Sequence, residues 1–305
     1  MVSIKTVAVL GGSGNLGPAI VTELLSAGFS VTGVTREGST NSTPKYPDGL
    51  PVQRVDYGSF DALKTVFDGQ DAVVSVVGFP GLAGQKLAID AAIAAGVKRF
   101  IPSEFGVNTQ KARGTTIGNL LTVKIGVTDY LAEKAEANPS FTWSALTTGH
   151  FFDWALENGY YGINLKEKTA VIVDSGNEKA HSSNLAQIGR SVAGILKHPD
   201  ETANKYLGTA SFNAAQNEVI ALVEELAGIK LTVESVKSAD LHKSGQEKLA
   251  AGDPRAFSDF LREFAFAEGK GNALSEEESA NALVGVPYES LRDTVTAWLK
   301  KAGVI

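Results

Sequence analysis

In the first half of the chain, short β-branched runs alternate with longer stretches whose apolar positions recur at helical spacing. Thr6 to Leu10 is the first strand-like run and Leu16 to Ala27 the first helical one, with Gly28 placed to cap it. Further strands are predicted at Ser30 to Val34, Val52 to Asp56, Ala72 to Val77, Arg99 to Pro102 and Thr142 to Thr147. The run Ala72 to Val77 (AVVSVV) is apolar almost throughout, as a strand buried on both faces of a parallel sheet must be. Helices are predicted at Phe60 to Phe67, Gln85 to Ala95 and Ile117 to Glu136. Regular succession of strand and helix is the pattern of βαβ units. After Phe151 the alternation weakens: strand-like pieces at Ala170 to Val173 and Leu231 to Val236 mix with helices, and Tyr288 to Ala302 is an amphipathic helix. The pattern predicts an α/β fold, with a doubly wound parallel sheet in residues 1–150 and a smaller, interleaved C-terminal α/β lobe in residues 151–305.

Composition narrows the function classes. Hydrophobic residues make 43% of the 305 and charged residues 20%, a globular balance. Lys and Arg number 28 against 34 Asp and Glu, a net charge of −6 without any basic run, so a nucleic-acid partner is not expected. The absence of cysteine excludes disulfides, thiolate nucleophiles and Cys-ligated metals. His181, His198 and His242 lie in scattered polar contexts without metal-ligand spacing, so no metal site is expected. No apolar stretch reaches the length of a membrane span, and the segment after Met1 lacks a signal-peptide core. A soluble, cytoplasmic monomer or homodimer acting on a small molecule is the expectation.

Candidate chemistry begins between the first strand and the first helix. Gly11-Gly12-Ser13-Gly14-Asn15-Leu16-Gly17 satisfies both G-x-G-x-x-G and G-x-x-G-x-x-G. Glycine allows the tight turn and lets backbone approach a pyrophosphate, while the helix N-terminus offers free N–H groups to the anion. A dinucleotide cofactor follows. The second strand runs on to Arg36, where NAD-specific sites carry an acidic residue for the ribose 2′-hydroxyl. A guanidinium there suits a 2′-phosphate and points to NADPH, although Glu37 stands one position further on.

Gln85 to Gly106 (QKLAIDAAIAAGVKRFIPSEFG) carries a more specific likeness. With the glycine loop it resembles the NmrA-like branch of the atypical short-chain dehydrogenases, and particularly the isoflavone reductase and phenylcoumaran benzylic ether reductase group. The resemblance spans most of residues 4–155 and implies a Rossmann-type sheet of seven strands, a substrate lobe and an NADPH-dependent reductase. It implies that Gly11, Ser13, Gly14, Asn15, Leu16 and Gly17 hold the diphosphate, that Arg36 and Lys45 grip the 2′-phosphate, and that Gly78 and Phe79 lie along the cofactor. The family's catalytic lysine corresponds to Lys124 in Val123-Lys124-Ile125-Gly126-Val127. Leu120 stands where ordinary short-chain dehydrogenases have tyrosine, and Thr128 where plant members commonly have a basic residue. Some NmrA-like proteins instead bind the dinucleotide as sensors without turnover; the retained lysine favours the enzyme.

Helical spacing puts Lys124 on one face with Leu120, Val127 and Leu131. There it can serve as a general acid or base, or as a charge that stabilises an oxyanion. Tyr130 and Lys134 also form a Tyr-x-x-x-Lys pair, but Lys134 lies about 80° round the helix from Lys124. After the sixth strand come His150, Phe151, Phe152 and Trp154, in the position where doubly wound folds bind ligands. The three aromatics read either as an apolar wall for an aromatic or unsaturated secondary metabolite or as core of the second lobe. His150 reads either as a proton-transfer group near neutrality or as a structural donor.

Overall fold

The computed structural model describes residues 3–38 and 46–305. Its centre is a seven-stranded parallel sheet. The strands in chain order are β1 (Thr6–Leu10), β2 (Ser30–Arg36), β3 (Val52–Val55), β4 (Ala72–Ser75), β5 (Arg99–Ile101) and β6 (Thr142–Thr147). The seventh comes from far along the chain. In space their order is this late strand, then β6, β5, β4, β1, β2 and β3, so the strand order reverses between β1 and β4. That reversal opens a crevice at the carboxyl ends of the strands, where ligands of such sheets bind. The two central strands are buried throughout, β4 entirely and β1 except at Thr6.

Helices cover both faces. α1 (Gly17–Ser26), α2 (Phe60–Phe67) and α3 (Gln85–Ala94) follow the sequence pattern, with Ser59 capping α2 through the Ala62 N–H. The single long helix expected over Ile117 to Glu136 is two: α4 (Thr116–Leu120) and α5 (Thr122–Ala137). The break falls at Leu121, whose N–H is shared between the carbonyls of Ile117 and Gly118. α4 is held against the preceding turn so closely that a Cβ on Gly118 would stand 1.9 Å from the Ala112 carbonyl oxygen. Lys124 therefore sits in the first turn of α5.

The remaining elements are β7 (His150–Phe151), α6 (Phe152–Glu157), β8 (Ile163–Asn164), β9 (Thr169–Val173), β10 (Lys179–Ser183), α7 (Leu185–Lys197) and β11 (Lys205–Gly208). They continue with β12 (Phe212–Ala215), α8 (Gln216–Ala227), β13 (Thr232–Val236), α9 (Ser238–Ala250), α10 (Ala256–Phe266) and α11 (Leu291–Lys301). β11 is the late strand and pairs with β6, so the central sheet extends past the division expected near residue 150. The Arg99 guanidinium fastens it there. The side chain is 1% exposed and donates to Thr142, Ser144, Thr202 and the Pro199 carbonyl. Two three-stranded sheets, β12-β10-β7 and β13-β9-β8, form the second lobe around a core that includes Phe152, Phe212 and Trp298. Among the described residues no helix is long and apolar enough to cross a membrane.

Candidate active site

The loop from Gly11 to Leu16 leaves the carboxyl end of β1 and turns directly into α1. Gly11 has φ +84°, a conformation that side chains disfavour. Its N–H donates to the Val34 carbonyl and to the Tyr57 hydroxyl, which itself donates to Val34. Gly17 opens α1 against the loop, and a Cβ there would stand 2.1 Å from the Gly12 carbonyl oxygen. Leu16, the N-cap, supplies no side-chain acceptor, and no acidic residue lies in the first turn. The helix end thus keeps N–H groups for an anion, over exposed Gly14 and Asn15 with Ser13 half-buried beside them. These residues fit a pyrophosphate. Arg36 ends β2 on the surface at the same edge of the sheet. Lys45 lies outside the described residues. Tyr46, half-buried, brings its hydroxyl under Gly12 and its ring under Gly33, and the hydroxyl has no hydrogen-bond partner among the described residues.

After β4, Gly78 and Phe79 are exposed, and the Phe79 ring meets Phe257 of α10 edge-on at 5.6 Å. The turn after β5 is pinned to this loop. Gln85 Oε1 accepts from the Ser103 N–H at 2.8 Å, and Ser103 Oγ donates to the Val77 carbonyl at 2.7 Å. The same turn presents the Glu104 main-chain carbonyl, which accepts from Lys124 Nζ at 2.9 Å. The Glu104 carboxylate is buried: Oε2 accepts from Thr109 Oγ1 and from the Tyr206 hydroxyl of β11, each at 2.8 Å, while Oε1 has no partner among the described residues. Part of the Lys124 side chain stays accessible, but its ammonium end is desolvated. Burial pulls its pKa below the lysine range and the Glu104 charge opposes this, while burial pushes the Glu104 carboxyl up. The arrangement can hold a lysine that parts with its proton more readily than a surface one. Thr128, one turn on, is buried and bonded to the Ile125 carbonyl.

Tyr130 and Lys134 do something else. The Tyr130 hydroxyl donates to Asp90 at 2.8 Å, Lys134 pairs with the same carboxylate at 2.9 Å, and both pKa values are raised. A raised tyrosine pKa is the reverse of the lowered one that the activated acid of a short-chain dehydrogenase needs.

The segment after β6 divides. Phe152 is 0% exposed and packs edge-on against Tyr161 and Phe212, so it belongs to the second-lobe core and offers no wall to a ligand. Trp154, half-buried, stacks on Tyr160 at 5.1 Å. Phe151 is half-buried against the central core. His150 stacks on Phe266 at 5.1 Å, and burial together with nearby His181 brings its pKa down to about 4. A lowered pKa keeps the ring neutral near pH 7, which favours the structural of the two readings of this residue. Its Nδ1 has no partner among the described residues and is left to accept or donate one hydrogen bond. Glu104, in the Pro-Ser-Glu-Phe-Gly turn, reads from sequence as a residue that orients backbone or cofactor, with the structural role favoured, whereas nothing local signals Tyr206.

A glycine loop at the strand-order reversal of a doubly wound sheet defines a dinucleotide-binding protein. The chain belongs to the NmrA-like family, which it matches over residues 3–252. It is an oxidoreductase of that family. It is 36% identical over 292 residues to oxidoreductase poxI of Penicillium oxalicum, covering 94% of this chain and 92% of that one. Oxidoreductase aprR of Aspergillus flavus is 32% identical over 299 residues, covering 96% and 98%. Among solved structures, a crystal structure of isoflavone reductase superposes with a TM-score of 0.79 at 20% identity, covering 97% of this chain and all (100%) of that one. The binary complex of leucoanthocyanidin reductase with NADPH from Vitis vinifera gives 0.79 at 19% identity, covering 97% and 99%. Both likenesses concern the fold.

Proposed function

We propose that the protein is an NADPH-dependent reductase of a small aromatic or unsaturated secondary metabolite. The observation that carries this reading is the Lys124 ammonium, desolvated and held on the Glu104 carbonyl at the same sheet edge as the glycine loop. The backbone from Gly11 to Gly17, with Ser13 and Asn15, would hold the diphosphate, Arg36 and Lys45 the 2′-phosphate, and Gly78 and Phe79 the side of the nicotinamide half. When bound, NADPH supplies the hydride. Lys124 supplies a proton, or a positive charge, to the atom on which negative charge develops as the substrate is reduced. The Glu104 carbonyl fixes where that ammonium stands, and the buried Glu104 carboxylate is its counter-charge. His150 and Phe151 are the side chains left to meet the substrate, since Trp154 is engaged in stacking on Tyr160. The protein works in the cytoplasm, as a monomer or homodimer, in this reading.

Calorimetric titration with NADPH and NADH tests the cofactor assignment. Two cations on a 2′-phosphate favour NADPH by about 2–4 kcal/mol, or roughly 30- to 800-fold. Arg36→Ala removes most of that preference. Equal affinity for the two cofactors in the wild type contradicts it. A chain that binds NADPH but oxidises it with no phenolic or polyketide substrate, while a partner protein binds one redox state only, is a sensor instead.

A further inference from the structure

The second lobe carries an open cleft of about 660 Å³ lined by residues of β8, β9, α6, α10 and α11. That is the size of a small-molecule site, yet neither Lys124 nor any residue assigned to the cofactor lines it. Arg262 and Ser258 of α10, Trp298 of α11, Asn164 of β8 and the adjoining Tyr160 and Leu165 form much of its wall.

Arg262 is the unusual member. Its Nη2 is buried and has no hydrogen-bond partner among the described residues. The nearest acidic influence, Asp259 one turn earlier, is already committed: its Oδ2 accepts from Lys248 Nζ at 2.5 Å and from Ser244 Oγ at 2.8 Å. Glu157, the carboxylate on the wall itself, pairs with Lys301 at 2.6 Å. A buried guanidinium nitrogen without an acceptor is costly to keep, and the planar fork of arginine matches a carboxylate in two parallel hydrogen bonds. The rest of the wall suits the apolar body of such a ligand. Tyr160 is 55% exposed and held flat by stacking on Trp154 at 5.1 Å, and aliphatic Leu165 stands beside it.

We propose that the second lobe carries a binding site, separate from the Lys124 site, for a small apolar organic carboxylate, with the Arg262 guanidinium receiving the carboxylate and Tyr160 and Trp298 flanking the body. The site needs neither the cofactor nor turnover, so it stands apart from the reductase reading.

The test is calorimetry on the full chain with 3-phenylpropionate as probe and 3-phenylpropanol as its uncharged counterpart. The expected result is a Kd for the carboxylate of about 1 mM or tighter, weakened about tenfold or more for the alcohol and for Arg262→Met, and less for Arg262→Lys. Tyr160→Ala weakens it too. Lys124→Met leaves it unchanged. NADPH affinity equal to wild type confirms that Arg262→Met is folded; should that variant not fold, Arg262→Lys and the ratio of carboxylate to alcohol decide. Equal binding to Arg262→Met overturns the proposal, as does loss of binding in Lys124→Met, which puts the probe at the other site. No heat up to about 10 mM overturns it as well.

Discussion

Replacing Gly17 by alanine tests the glycine loop at its tightest point. A Cβ at position 17 would lie 2.1 Å from the carbonyl oxygen, 2.3 Å from the carbonyl carbon and 2.4 Å from the Cα of Gly12, where ordinary contact begins at 3.4 Å. All three are main-chain atoms, so no rotamer change relieves the overlap, and the loop must open by about 1 Å or more. Overpacking of this kind costs about 1–3 kcal/mol, which lowers Tm by roughly 2–5 °C in a chain of this size. Cofactor binding suffers more directly, because the displaced backbone carries the N–H groups that meet the diphosphate. A loss of about 2–3 kcal/mol corresponds to roughly 30- to 150-fold weaker NADPH binding. Gly14→Ala is the control for stability: the nearest atom to a Cβ there is the Gly11 carbonyl oxygen at 3.6 Å, and φ is not positive. Fluorescence titration of NADPH and thermal unfolding of both variants read the two effects. Wild-type affinity in Gly17→Ala, or an equal loss of Tm in Gly14→Ala, refutes the close approach of loop and helix as the basis of the site.

The Glu104→Gln variant removes the charge that holds a proton on Lys124, so the Lys124 signal in ¹³C-methylated protein titrates at lower pH than in wild type; an unchanged titration contradicts the counter-charge role. The His150 pKa is about 4 in the folded protein, below the ordinary value near 6.5, so the native state binds fewer protons than the unfolded chain between those values. Stability is therefore lost as pH falls from about 6.5 to 4, and His150→Phe recovers about 2–3 kcal/mol of that acid loss in denaturant titrations, leaving the share of His181, whose pKa is also lowered. Parallel acid profiles of variant and wild type contradict this.

The first βαβ units were legible because each signal was local: a buried strand, a glycine loop and a helix with apolar spacing lie within about thirty residues. The break at Leu121 was not legible, since the periodicity of residues 117–136 runs through it and its cause, the fit of Gly118 on the Ala112 carbonyl, is tertiary. β11 was equally hidden. Lys205–Gly208 is short and partly polar, and it is a strand because β6 offers an edge and Arg99 ties down the segment before it. That hidden strand brings Tyr206 to Glu104 across 102 positions of sequence, which is why the surroundings of Lys124 could not be read although Lys124 itself could. The aromatic run at 150–154 was ambiguous for a related reason. The run passes from β7 into α6, and only packing shows that Phe152 lies in the second-lobe core.

The most direct test of the account is turnover by Lys124→Met, measured as NADPH oxidation with a substrate found in a panel of phenolic and polyketide compounds. Methionine keeps the aliphatic bulk and removes the proton and the charge. The account predicts a fall in kcat of about 10²–10⁴-fold with NADPH affinity changed less than about tenfold, and near-wild-type turnover in Tyr130→Phe. Undiminished turnover in Lys124→Met together with collapse in Tyr130→Phe contradicts it.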